Sequence, residues 1–196
     1  MATRKATKQA TRPRRTSNPN DAIALLMADH AKVKKMFKEF DKAHKEGADS
    51  DSEKVAKAIC QELRIHTAVE EEIFYPGVRE TLDDDDMMNE AEVEHASAKS
   101  LIEQIEGADS SDPMYAAKVM VLGEYIDHHV NEEHKEMFPK ARRAKMDLTM
   151  LGEQIVQRKA ALKAEMGIAD DVERSAADGG SSQRRRPIST SHAGTR

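Results

Sequence analysis

Two stretches decide the fold: HTAVEEEIFYP, from His66 to Pro76, and HVNEEHKEMFP, from His129 to Pro139. Each places a Glu four residues after a His, and each reaches Pro ten residues after that His. On a helix, residues four apart lie one above the other on one face. His66 and Glu70 therefore point together, as do His129 and Glu133.

Reading outward from these stretches gives a set of amphipathic helices. Upstream of His66, Val55, Ile59 and Leu63 recur at helical steps, and the stripe continues through Glu70 to Ile73. Pro76 disfavours helical backbone in the residue before it, so this helix is expected to stop near Tyr75. Before it, Ile23, Leu26, Met27, His30, Val33, Phe37, Phe40 and His44 form one stripe, ended by Gly47. Asn18-Pro19 is the expected start, with Asn18 as cap. After it, Asp83 to Asp86 open a helix with the stripe Met88, Ala91, His95, Ala98, Ile102, Ile105. Pro113 opens a fourth, with Met114, Ala117, Val121, Tyr125, His129, Glu133 and Met137, expected to stop at Pro139. A shorter fifth segment spans about 148–166.

Composition agrees with helices. Aromatics are 4% and charged residues 34% of the 196 residues, which suits solvated helical faces better than a sheet. Short links make sequential helices antiparallel neighbours, so the expected fold is all-α, an up-down-up-down four-helix bundle over 19–166. No run of about 18 apolar residues and no signal-peptide core is seen, so a cytoplasmic protein with no membrane partner is expected. The single cysteine, Cys60, excludes an internal disulfide and fits a reducing compartment.

Charge is divided along the chain. Residues 1–20 hold six basic residues and residues 179–196 hold four, with no acid in either. Residues 21–178 carry all 36 acids and a net charge of −15. An acidic body repels phosphates, so any contact with nucleic acid would come from the basic ends. Residues 1–18 and 167–196 cannot build a core and are expected to be disordered tails.

The stripes that carry the apolar core also carry His30, His66, Glu70, His95, His129 and Glu133. Burying four imidazoles and two carboxylates together is costly unless a cation is held between them. For any one of these histidines alone, a satisfied core residue is the plainer reading. Six polar residues from four helices favour a metal centre. Two irons bridged by Glu70 and Glu133 would explain all six.

These residues resemble the hemerythrin-type, HHE cation-binding domain. The resemblance lies in Asp29-His30, in His66-x-x-x-Glu70 before Phe74-Tyr75-Pro76, in Glu94-His95, and in His129-x-x-x-Glu133 before Phe138-Pro139. It extends over about 20–166, with Asp147-Leu148 and Leu151-Gly152-Glu153. It implies a four-helix bundle with a non-haem centre of two iron ions. Oxygen-carrying hemerythrins place a second His where this chain has Lys99, and use His-x-x-x-x-Asp on the last helix where this chain has His129-x-x-x-Glu133. The resemblance therefore points to sensing or reacting with oxygen, nitric oxide or peroxide rather than to reversible oxygen carriage. Catalase-like peroxide disproportionation is the enzymatic alternative. A nucleic-acid-associated stress protein, contacting through the basic tails, is another.

Other motifs are weaker. Ferritin-like proteins need two Glu-x-x-His motifs; this chain has Glu92-x-x-His95 alone. The zinc-protease His-Glu-x-x-His is absent. His128 and His134 are expected to face solvent or a neighbouring helix, and His44 a bundle end. Lys99 is expected to swing out to solvent. Cys60 reads as a small buried residue, Tyr125 as packing or pocket lining, and Glu62 as a partner for a ligand imidazole or a solvated acid.

Overall fold

A computed structural model describes residues 20–168. Asn18, Pro19 and both basic ends lie outside those residues, as does the expected nucleic-acid contact. Among the described residues every regular element is a helix. None is long and apolar enough to cross a membrane.

Helix α1 spans Ala22–Lys45, and its cap is Asp21. The Asp21 carboxylate accepts from the Ala24 N–H at 2.8 Å and also pairs with Arg142 at 3.1 Å. Gly47 adopts φ +68°, and Ala48 N–H donates to Ala43 C=O. This left-handed cap turns the chain into α2, Asp49–Val69.

At Glu70 the backbone does something that helical periodicity did not reveal. Residues Glu70–Phe74 form one π turn, and the chain continues as α3, Tyr75–Thr81. Pro76 does not end the helix. Proline lacks an N–H and its ring crowds the carbonyl four residues back, here that of Glu72. Widening the turn relieves this: Tyr75 N–H reaches back five residues to Glu70 C=O. The wide turn also shifts the phase of the buried face. Ile73, expected in the stripe, is only half-buried, while Phe74, Tyr75 and Val78 are buried.

The second half repeats this device. After α4, Asp85–Glu106, and α5, Tyr115–Glu132, a π turn at Glu133–Met137 leads into α6, Phe138–Arg143. Phe138 N–H reaches back to Glu133 C=O, and Pro139 follows without ending the helix. The α4 stripe is buried as expected from Met88 to Ile105. The α5 stripe is not: Tyr125 is 49% exposed, and the buried residues are Tyr115, Val119, Leu122 and His129. Helix α5 has apolar side chains on several faces, and three- and four-residue steps back from His129 fit two stripes equally.

Helices α1 and α2, α2 and α4, α4 and α5, and α5 and α1 pack against one another. These contacts close a ring, the four-helix bundle. One end of its interior holds Val33, Phe40, Ile59, Leu63, Ile102 and Leu122. Fully burying each such side chain contributes roughly 1.5–3 kcal/mol. Helix α7, Leu148–Glu165, follows. The chain divides into two compact units, to Lys159 and from Ala160. In the first, Leu151, Gly152 and Ile155 of α7 are buried.

A Cβ on Gly152 would lie 2.2 Å from the Asn20 carbonyl oxygen and 3.0 Å from the Ala22 nitrogen. Both are backbone atoms at the start of α1, which Asp21 and Arg142 hold in place. Gly152→Ala should therefore lower stability by about 1–3 kcal/mol, measured by urea unfolding. A variant as stable as the parent would show that α7 seats more loosely than described.

Candidate metal centre

In each helix of the ring, the apolar stripe is interrupted by a histidine. On α1, His30 lies between Leu26 and Val33; on α4, His95 lies between Ala91 and Ala98. His66 and His129 sit in the last turns of α2 and α5, one turn before the two π turns. Glu70 and Glu133 are the first residues of those turns. All six are buried, with Glu70 at 0% and Glu133 at 1% exposure.

The structure brings the six together in two groups that share Glu70. One is His30, His66, Glu70 and Glu133, and the other is Glu70, His95 and His129. Within each group the donor atoms all lie within 4.8 Å of one another. His30 Nε2 faces His66 Nε2 at 2.8 Å, and His95 Nε2 faces His129 Nε2 at 3.1 Å. Glu70 Oε2 is 3.1 Å from His66 Nε2 and 3.4 Å from His95 Nε2.

The outer ring nitrogens explain this facing. His66 Nδ1 meets Asp29 at 3.3 Å, His95 Nδ1 meets Glu71 at 2.9 Å, and His129 Nδ1 meets Glu94 at 2.7 Å. A carboxylate only accepts, so Nδ1 carries the hydrogen in these three rings. That assignment leaves the Nε2 lone pair pointing inward. His30 Nδ1 instead meets His134 Nε2 at 2.9 Å. The partners follow the sequence repeat: Asp29 and Glu94 each precede an inward His and hold the other His of their half. Glu71 and His134 each follow a buried Glu. The two halves therefore differ here, with an anion behind His95 and an imidazole behind His30.

Inward lone pairs and two carboxylates make an interior rich in acceptors. Both oxygens of Glu70 and Oε2 of Glu133 are buried with no hydrogen-bond partner. Protons alone balance the site poorly. Burial works against a charged His95, yet the adjacent Glu70 and Glu71 carboxylates raise it to about 9. Burial, then the neighbouring Glu70 charge, push Glu133 well above the usual carboxylate range. Burial opposes ionisation of Glu70 too, but the surrounding imidazoles hold it low. Burial, then the His66 charge, lower His30 to about 3. Such a donor set, four nitrogens and two carboxylates, fits a borderline transition-metal cation.

Tyr75 is the residue that sequence reasoning missed. Its hydroxyl donates to Glu133 Oε1 at 3.2 Å and lies 3.1 Å from His95 Nε2 and 3.3 Å from His129 Nε2. The signal lies in the repeated Pro six residues after each Glu, which marks a π turn rather than the expected helix stop. Of the other expectations, some hold and some are corrected. Glu62 pairs with Lys32 at 2.6 Å, and Asp29 rather than Glu62 holds His66. Lys99 does not swing free; its ammonium pairs with Glu71 at 2.5 Å, behind His95. His134 faces a neighbouring helix, as one of its two expected placements had it. His44 is exposed and stacks on Phe40. Cys60 is buried, and desolvation raises its thiol to about 12.

Comparison with known proteins places this geometry. The family model for the hemerythrin HHE cation binding domain matches residues 21–141. A crystal structure of a hemerythrin HHE cation binding domain-containing protein from Mycobacterium kansasii superposes with a TM-score of 0.61 at 20% identity, covering 74% of this chain and 88% of that one. A curated protein of Nostoc sp., named DNA nickase, is 29% identical over 121 residues. The match covers 60% of this chain, which spans 32% of that protein's length.

Glu133 supplies a test of the electrostatics. Without metal it is held protonated, so Glu133→Gln should leave the melting temperature of chelated protein close to that of the parent. Metal must displace the protons on Glu133 and His95, so its binding should release protons. The variant should release one fewer and gain less stability from metal. Equal proton release by both forms would show that Glu133 is ionised before metal arrives.

Proposed function

The chain belongs to the hemerythrin HHE cation-binding family, and on that premise we propose that it is a non-haem di-iron protein that binds and reacts with oxygen, nitric oxide or peroxide. One iron would be held by His30 and His66, the other by His95 and His129, with Glu70 and Glu133 bridging. The observation that carries this reading is Glu70, a fully buried carboxylate that belongs to both ligand groups and has no hydrogen-bond partner. Its place in both groups lets it serve a cation in each. When bound, iron supplies a change of oxidation state and coordination positions for a small ligand.

The chain's own residues support the rest of the reading. The acceptors behind His66, His95 and His129 fix each ring's orientation and raise its basicity as a ligand. Tyr75 OH stands beside His95 and His129, and it can hand a hydrogen bond to an anionic oxygen species as it now does to Glu133. Lys99 is engaged with Glu71 rather than acting as a ligand, which supports an unsaturated second iron. An open groove of about 940 Å³ between α1 and α5, lined by apolar Met27, Phe37 and Met120 and by charged Lys34, Lys38 and Asp127, reaches His30 and His134. Peroxide disproportionation, two peroxides to two waters and one dioxygen, is the enzymatic form of the same reading. A reducing cytoplasmic compartment accords with the one buried thiol.

Protein purified with iron should carry two irons per chain and show near-ultraviolet charge-transfer bands without haem bands. His66→Ala and His129→Ala should each lose iron. The bands should change on adding peroxide or nitric oxide, and dioxygen should not bind reversibly. Full iron retention by both variants would contradict the ligand assignment. Reversible oxygenation would contradict the proposed reactivity alone.

A further inference from the structure

Among the described residues, one cluster of ligand-type side chains lies outside the interior centre. Glu94, His128 and Glu132 each offer an atom within 4.8 Å of the others. His128 Nε2 is 3.4 Å from Glu94 Oε1 and 3.3 Å from Glu132 Oε1. The sequence explains the grouping. His128-x-x-x-Glu132 is a second copy of the inner His129-x-x-x-Glu133 step, set back by one residue. One residue is about 100° around a helix, so the copy looks outward while its twin looks in. His128 is 64% exposed, whereas His129 is buried.

Glu94 belongs to both sets. Its Oε1 faces His128, while its Oε2 accepts from Nδ1 of the inner His129 at 2.7 Å. Beside it opens a cavity of about 200 Å³ whose lining includes Asp84, Glu90, Glu94, Glu132 and Glu136. The one basic side chain of that lining, Lys140, is already paired with Asp84 at 2.7 Å. Acidic rims alone are ordinary on a protein of this charge. What distinguishes this one is its floor: Glu133 lines the same cavity, is 1% exposed, and its Oε2 lacks any hydrogen-bond partner. Acidic side chains therefore run from Glu94 and Glu132, beside the solvent-facing His128, along the cavity to the buried Glu133 carboxyl.

We propose that Glu94, His128 and Glu132 form a surface site for a divalent transition-metal cation, from which the cation passes along the acidic cavity to His129 and Glu133. One imidazole and two carboxylates with water completing the shell suit labile capture of Fe(II) or Mn(II). Negative potential in a narrow cleft concentrates cations and raises their rate of entry. The site binds through a residue that also orients an inner ligand, so capture and interior loading share Glu94. This inference rests on the interior residues being a metal centre, and the experiment separates the two.

The test uses the full chain and the double variant His128→Gln/Glu132→Gln, which leaves Glu94 and all six interior residues in place. Chelated protein is mixed with Fe(II), and uptake is followed by stopped-flow absorbance with the final iron content measured afterwards. Iron-loaded protein is then titrated with Mn(II), and free Mn(II) is counted by electron paramagnetic resonance. The parent should bind one further Mn(II) per chain, and the variant should not. The variant should also load iron about tenfold more slowly, reaching the parent's final content. Wild-type loading rate in the variant, or Mn(II) bound equally by both, overturns the surface site while leaving the interior centre standing. A parent chain that takes up no interior iron overturns both.

Discussion

Four imidazole rings are pinned from outside through Nδ1, and this directs their Nε2 lone pairs at one another and at two carboxylates in a buried interior. Asp29, Glu71 and Glu94 do the pinning for three rings, and His134 meets the fourth. The inward ring nitrogens and carboxylates are acceptors and the Tyr75 hydroxyl is only a neutral donor, so the centre of the bundle has a deficit of positive charge. Burying such a set is destabilising unless protons or cations fill the deficit. The metal-free answer is partial, with a proton on His95 and another on Glu133. Apolar layers on either side of the histidines stabilise the fold enough to tolerate this strain.

The two π turns set the geometry. An uninterrupted α-helix through Pro76 would lose a hydrogen bond and clash with a preceding carbonyl. The five-residue turn absorbs the proline and delivers Phe74 and Tyr75 to the interior beyond Glu70. The same turn after Glu133 delivers Met137 and Phe138. The two turns thus bring aromatic rings together beside the site: Phe138 stacks parallel to His30 at 5.9 Å, and Phe74 meets Phe138 edge-on at 5.6 Å. Insertions of this kind occur often at functional sites. Here the reason is local, since the proline that forces the insertion follows the carboxylate it positions.

Much of this was legible in the sequence because the strongest signals were periodic. The α4 stripe is buried residue for residue, and the six polar members of the four stripes do meet. Residues whose role depends on phase beyond a π turn were not legible. Tyr75 looked like the end of a helix, and Ile73 looked like core. On α5 the expected stripe through Val121 and Tyr125 lies outside, because Val119, Met120, Val121 and Leu122 are all apolar and periodicity cannot choose among them. Partners across the bundle were also hidden. Glu62 is one turn from His66 in sequence, but Asp29 reaches that ring from another helix. Lys99 found Glu71 in the same way.

The most direct measurement is anomalous diffraction at the iron absorption edge from crystals of the iron-loaded protein. The account predicts two peaks inside the bundle, one against His30 and His66, the other against His95 and His129, with Glu70 between them. A single interior peak, or peaks confined to the protein surface, would contradict it.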